Sequence, residues 1–183
     1  MSSDMELTRA LIITGSVGVG KSTTADAMAE ILSKKQVPHA VIDMDYLRYA
    51  WPHPKNDPFN QALGIKNLTS LWVNYQEIGI KKLLIPTVIE TRADIDAIAQ
   101  ALPGAKVAIV RLKGRIDTVH TRLHERHSKR DEANLAWHLD RAVELTEQLE
   151  KSGIEDFGVD TDNKSVKEVA KEVLAKWQEA QNG

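Results

Sequence analysis

Residues 15–22 read Gly-Ser-Val-Gly-Val-Gly-Lys-Ser and satisfy G-x-x-x-x-G-K-[ST] at every fixed position. An apolar run, 9–14, precedes them. Behind them, over 21–35, Ala25, Met28, Ile31 and Leu32 recur at helical spacing. A buried strand must therefore pass into a helix through a tight glycine-rich turn. Such a turn lets successive backbone N–H groups face one anion, and the positive end of the following helix adds to the attraction. Lys21 can reach the outer phosphates of a nucleotide, and the Ser22 hydroxyl can join the shell of a Mg²⁺ ion. The stretch from Gly15, Ser16, Val17, Gly18, Val19 and Gly20 through Lys21, Ser22 and Thr23 is thus the expected nucleotide contact.

Strand and helix patterns alternate along the rest of the chain. Short apolar runs at 40–42, 82–85, 106–111 and 157–160 read as four further strands. Helical periods cover 60–79, 93–102, 116–126, 132–151 and the stretch from Val166 to Trp177. Three of the six prolines fall within 51–58, which must be a loop. Five strand–helix alternations predict an α/β sandwich with a parallel sheet, helices on both faces and ligands at the carboxyl ends of the strands. No repeat or linker divides the chain, so one domain over 1–183 is expected.

Composition narrows the function. With 24 basic and 26 acidic residues the net charge is −2, so nucleic acid is not favoured as a partner. The absence of cysteine excludes disulfides, thiol nucleophiles and cysteine-ligated metals. No apolar stretch approaches the roughly 20 residues that span a bilayer, and the first nine residues lack the apolar core of a signal peptide. A cytoplasmic protein with no membrane partner is expected. Its oligomeric state is left open.

The acids that could do chemistry follow the second strand, in Asp43-Met44-Asp45-Tyr46-Leu47-Arg48. On an extended strand end, alternate residues point the same way, so Asp43 and Asp45 would face one site beside Arg48. The competing reading is a helix N-cap, which Asp43 could supply alone. The third strand carries no terminal acid, running Leu83-Leu84-Ile85-Pro86. GTP-switch function is not expected: Asn163-Lys164-Ser165-Val166 lacks the acid of a base-reading N-K-x-D, and no D-x-x-G occurs.

Taken together, the loop at 15–22 and the D-x-D-x-x-R at 43–48 resemble the small-molecule P-loop kinases. They are most similar to the adenylylsulfate-kinase-like branch, with shikimate, gluconate and chloramphenicol kinases as cousins. The resemblance implies a three-layer sandwich whose five-stranded parallel sheet has the order 2-3-1-4-5, with a helical lid over about 113–150. It implies ATP and Mg²⁺ as cofactors, with Ser22 and Asp43 holding the ion partly through water. It makes Lys21, Asp43, Asp45 and Arg126 catalytic, and has Asp45 orient or deprotonate an acceptor hydroxyl while Arg48 holds an acceptor anion. Arg122 and Arg126, four apart on one helix face, resemble lid arginines that meet adenine and the transferring phosphate. Thr161, in Val159-Asp160-Thr161, falls where these kinases place a loop near adenine. Two stretches depart from adenylylsulfate kinases, Pro86 to Arg92 and Arg130 to Ala133.

Glu90 and Arg92 follow the third strand and could contact the acceptor. A plain helix start capped by Thr91 fits equally well. Trp51 and Phe59 flank the proline loop and could line an acceptor pocket, while Trp72 and Trp177 read as core. His120, His124 and His127 have helical spacing, but no H-E-x-x-H accompanies them and no zinc site is expected. The leading expectation is an ATP-dependent phosphotransferase acting on a hydroxyl of an unidentified small metabolite or antibiotic. The alternative is a nucleotide-binding ATPase or sensor without that chemistry.

Overall fold

The computed structural model describes residues 7–126 and 132–182. Along the chain the elements are β1 (Arg9–Thr14), α1 (Lys21–Lys34), β2 (His39–Val41), α2 (Met44–Leu47), α3 (Gln61–Glu77) and β3 (Lys82–Pro86). They continue with α4 (Arg92–Ala101), β4 (Lys106–Lys113), α5 (Ile116–Arg126), α6 (Glu132–Ser152), β5 (Phe157–Asp160) and α7 (Val166–Asn182). The five strands form one parallel sheet in the order β2-β3-β1-β4-β5.

β1 lies at the centre because both its faces are apolar. Ala10, Leu11, Ile12 and Ile13 have no exposed surface, as a parallel strand covered by helices on both sides requires. Strand alternation splits these residues between two cores. Leu11 and Ile13 join Leu84, Val110 and Leu112 under α1, α5, α6 and α7, through Met28, Leu123, Ala142 and Trp177. Ala10 and Ile12 join Leu83, Ile85 and Ile109 under α3 and α4, through Leu68, Trp72, Ile95 and Ile98. Trp72 and Trp177 are thus the core residues the sequence suggests, one on each face.

Pro86 is the last residue of β3, paired with Ile13. Successive N–H groups along a strand point to opposite neighbours. The Thr87 N–H takes the bond to the Ile13 carbonyl, so the donor that proline lacks would face β2. The Ile42 N–H still donates to the Leu84 carbonyl at 2.9 Å, but Pro86 has no N–H to return the next ladder bond to Ile42, and the pairing of β2 with β3 stops there.

β2 also ends sooner than its apolar run suggests, and this corrects the expectation for the acids. The chain turns into α2 directly after Ile42, so Asp43 and Asp45 do not alternate along an extended strand. Asp43 is the N-cap of α2, accepting from the Asp45 N–H at 3.0 Å, and Asp45 belongs to the helix.

Among the described residues, no helix is long and apolar enough to cross a membrane.

Candidate active site

The loop between β1 and α1 depends on its glycines at two positions. Gly15 has φ +146° and Gly18 φ +81°. A Cβ on Gly15 would lie 2.6 Å from the Leu112 carbonyl oxygen, and one on Gly18 would lie 2.7 Å from Leu123 Cγ. The loop is therefore pressed against β4 and α5 as well as curled on itself. Lys21 folds back over it, donating to the carbonyls of Gly15 at 3.1 Å and Ser16 at 2.9 Å. Desolvation lowers the Lys21 pKa from 10.5 to about 8; Asp45 and Asp43 oppose the shift, and Arg126 and Arg48 add to it.

Asp43 joins this loop to the second strand. Its Oδ1 caps α2, and its Oδ2 accepts from the Ser22 hydroxyl at 2.7 Å. The cap reading and the site reading therefore hold together, one oxygen for each. Asp45 forms an ion pair with Arg48. Arg48 also donates through Nε to Asp45 Oδ1 at 3.2 Å and through Nη1 to Gln61 at 3.1 Å. Asparagines hold this corner from behind. Asn60, buried and left-handed at φ +50°, donates to the carbonyls of Arg48 and Ala50, and Asn67 donates to that of Leu47.

Glu90 arrives from β3. The Ile89 N–H donates to Thr14 Oγ1 at 3.0 Å, and the Glu90 N–H donates to Asp94 Oδ2 at 3.1 Å. Thr91 and Asp94 form a reciprocal capping box at the start of α4. The helix-start reading of Thr91 is therefore correct, and it is what fixes Glu90. The Glu90 carboxylate pairs with Arg141 of α6, which also pairs with Glu144.

On the other side of β1, Arg122 bridges two loops. It donates to the Val19 carbonyl at 3.2 Å, to Thr161 Oγ1 at 3.0 Å and to the Thr161 carbonyl at 3.2 Å. Lys164 follows this loop and is held charged by its 2.7 Å hydrogen bond to Glu172, which raises its pKa.

These groups open into one cavity of about 1130 Å³. Val17 to Thr23, Asp43, Asp45, Arg48, Glu90, Arg122, Arg126 and Thr161 all line it. Gly15 and Ser16 complete the loop and supply the carbonyls that hold Lys21. Arg92 is not brought in: it is the exposed first residue of α4, outside the cavity. Trp51 also lies outside, 85% exposed and edge-on to His53, whereas Phe59 is in the lining. No group of three or more metal-ligating side chains occurs among the described residues. His127, Lys129, Arg130 and Asp131 lie outside the described residues.

Sequence reasoning missed Arg141, Tyr46 and Gln61, which line the same cavity. Arg141 sits mid-helix among other charges, 51 positions from Glu90, and no local pattern marks it. Tyr46 lies inside the motif 43–48 and is recognisable only as a large aromatic directly after Asp45.

Compared by sequence, the chain matches no family model and no curated protein. Compared by structure, it is similar to the tunicamycin resistance protein of Deinococcus radiodurans, with TM-score 0.63 and 21% identity over 92% of this chain and 95% of that one. Shikimate kinase from Bacteroides thetaiotaomicron aligns with TM-score 0.64 and 15% identity over 93% and 98%. The Mycobacterium tuberculosis APS kinase CysC, solved with AMPPNP and APS, aligns with TM-score 0.59 and 20% identity over 94% and 98%. The fold is that of the P-loop small-molecule kinases. The strand order and the strand–loop–helix at 9–34 carry this likeness through nearly the whole chain. These three differently named neighbours align comparably, so the P-loop kinase fold by itself names no acceptor.

Proposed function

We propose that this chain is an ATP-dependent phosphotransferase that moves the γ-phosphoryl group to a hydroxyl of a small molecule. One observation carries the reading: the phosphate loop, which leaves the central strand β1, and the Asp43–Asp45–Arg48 corner, which follows the edge strand β2, open into one cavity. A sensor needs the first of these and has no use for the second.

On this reading the loop amides and Lys21 bind the β- and γ-phosphates, and Lys21 leaves its two carbonyls to do so. Arg122, Thr161 and the β5–α7 loop border the nucleoside, while Arg126 and the helices α5 and α6 cover the phosphates and exclude water. Ser22 and Asp43 offer a hydroxyl and a carboxylate in contact, an oxygen-only set suited to a hard cation that keeps part of its water shell. Mg²⁺ bound there would neutralise the β- and γ-oxygens. Asp45, held by Arg48, accepts the proton of the acceptor hydroxyl as its oxygen bonds to the γ-phosphorus. The bond from that phosphorus to the β–γ bridging oxygen breaks, and ADP leaves. Phosphoryl transfer asks mainly for position and charge neutralisation, so one well-placed carboxylate suffices.

ADP release from Mg·ATP with a broad panel of alcohols tests this, with Lys21→Ala as the blank. Acceptor-dependent release that is absent from the blank is the expected result. Full activity in a folded Asp45→Asn protein would remove Asp45 as the base. ATP binding with no turnover on any alcohol would favour the sensor.

A further inference from the structure

The acceptor half of the cavity has a charge pattern of its own. Its two arginines are both occupied by the protein. Arg48 directs Nε and Nη2 at Asp45 and Nη1 at Gln61. Arg141 directs Nη2 at Glu90 and Nη1 at Glu144, the latter at 2.7 Å. Their side chains are only 14% and 16% exposed. A guanidinium captures a carboxylate or phosphate by presenting a free fork of N–H donors. Here the Nε–Nη2 edge of Arg48 and the Nη1–Nη2 edge of Arg141 are already turned to the protein's own carboxylates. An anion taking either edge would have to displace Asp45 or Glu90 and leave that carboxylate without its partner beside the incoming charge.

The same half presents aromatic surface from three separate elements. Tyr46 of α2 is 82% exposed, Phe59 of the proline loop 50% and Trp137 of α6 49%, and all three line the cavity. Neither the phosphates nor a metal ion has any use for them. Rings left open inside a polar cleft are matched by a flat apolar partner that stacks on them.

We propose that the acceptor is an uncharged alcohol bearing an aromatic or other flat apolar ring, not a hydroxy acid or a phosphate ester. This rests on the kinase reading above. It changes the part given to Arg48. Instead of holding an anion of the acceptor, Arg48 positions Asp45, and the rings of Tyr46, Phe59 and Trp137 hold the acceptor.

The test is ADP release from Mg·ATP with four sets of alcohols. They are uncharged ring-bearing compounds (nucleosides, aryl glycosides), uncharged compounds without a ring (free sugars, polyols), anions (hydroxy acids, sugar phosphates, adenylyl sulfate) and cationic aminocyclitols. The best acceptor is expected in the first set, with kcat/KM about tenfold or more above the best of any other. With that acceptor, Tyr46→Ala and Phe59→Ala raise its KM about tenfold, and Tyr46→Phe restores it. A best acceptor among the anions, the aminocyclitols or the ringless alcohols overturns the proposal. So does a KM indifferent to both alanine variants. Turnover in none of the four sets, with ATP binding intact, overturns the kinase reading itself and this inference with it, so the two failures are distinguishable.

Discussion

Lys21 gives the sharpest numerical expectation. Its ammonium is desolvated on the loop, and its pKa falls from 10.5 to about 8. The charged form is the one that pairs with phosphate. At pH 7 about nine-tenths of the free protein carries it, and at pH 9 about one-tenth. A nucleotide that requires the ammonium then binds about tenfold more weakly at pH 9 than at pH 7, a difference of about 1.4 kcal/mol. A lysine at its ordinary value would cost almost nothing over that range. The sign of the proton traffic follows. Bound phosphate raises the lysine pKa again, so binding takes up a proton above pH 8 and approaches about one per nucleotide near pH 9. The assay is calorimetric titration with ATP in EDTA, which keeps metal out of the equilibrium, in two buffers of different ionisation enthalpy at each pH. Lys21→Arg, charged throughout, should show a flat profile. An unchanged wild-type Kd from pH 7 to 9.5, with no proton uptake, would refute the desolvation argument.

Four further outcomes follow from single contacts. Gly18→Ala places a Cβ 2.7 Å from Leu123 Cγ at φ +81° and should cost about 2–4 kcal/mol, visible as a lower Tm. Adding Leu123→Ala should relieve the clash but not the backbone penalty, giving a non-additive cycle by chemical denaturation. Asp43→Ala removes the α2 cap and the Ser22 contact together, costing about 1 kcal/mol of stability; Asp43→Asn keeps the cap, yet both variants should lose about a hundredfold or more in kcat. Arg122→Ala unties the Val19 and Thr161 loops and should raise the Kd for ATP about tenfold by equilibrium binding. Trp177→Ala opens the core beneath α1 and α7 and should cost about 3–5 kcal/mol in urea unfolding.

The fold was legible because its signals are local and redundant. Strand β1 is marked by an unbroken apolar run, its turn by glycines that must adopt positive φ, and α7 by apolar residues at three and four spacings. The strand order came from the resemblance of the loop and the D-x-D-x-x-R to known kinases; no count of periodicity would have placed β3 between β1 and β2. The errors fall where two local rules compete. The apolar run 40–42 reads as a strand that carries its alternation into the acids, but Asp43 caps a helix there and the chain leaves the sheet after Ile42.

The site shows the same division more severely. Gly15 to Ser22 form a site by their own backbone geometry, so the motif contains its own structure. Asp43 and Asp45 were found for a reason the structure corrects: they share the cavity because α2 turns the chain at Ile42, not because a strand alternates. Glu90 and Arg92 looked equivalent, two residues apart after β3. The capping box at Thr91 separates them, fixing Glu90 inside and starting a helix that carries Arg92 outside. Arg141 left no trace, because its meaning lies in a carboxylate 51 residues away. On the proposal made above, that pair bears on how the acceptor half of the cavity treats charge. An arginine read alone announces an anion site, whereas an arginine already closed on Glu90 and Glu144 announces the opposite. On the same proposal, the acceptor this cavity takes is set by pairings across elements, and these become visible only once the chain has been folded.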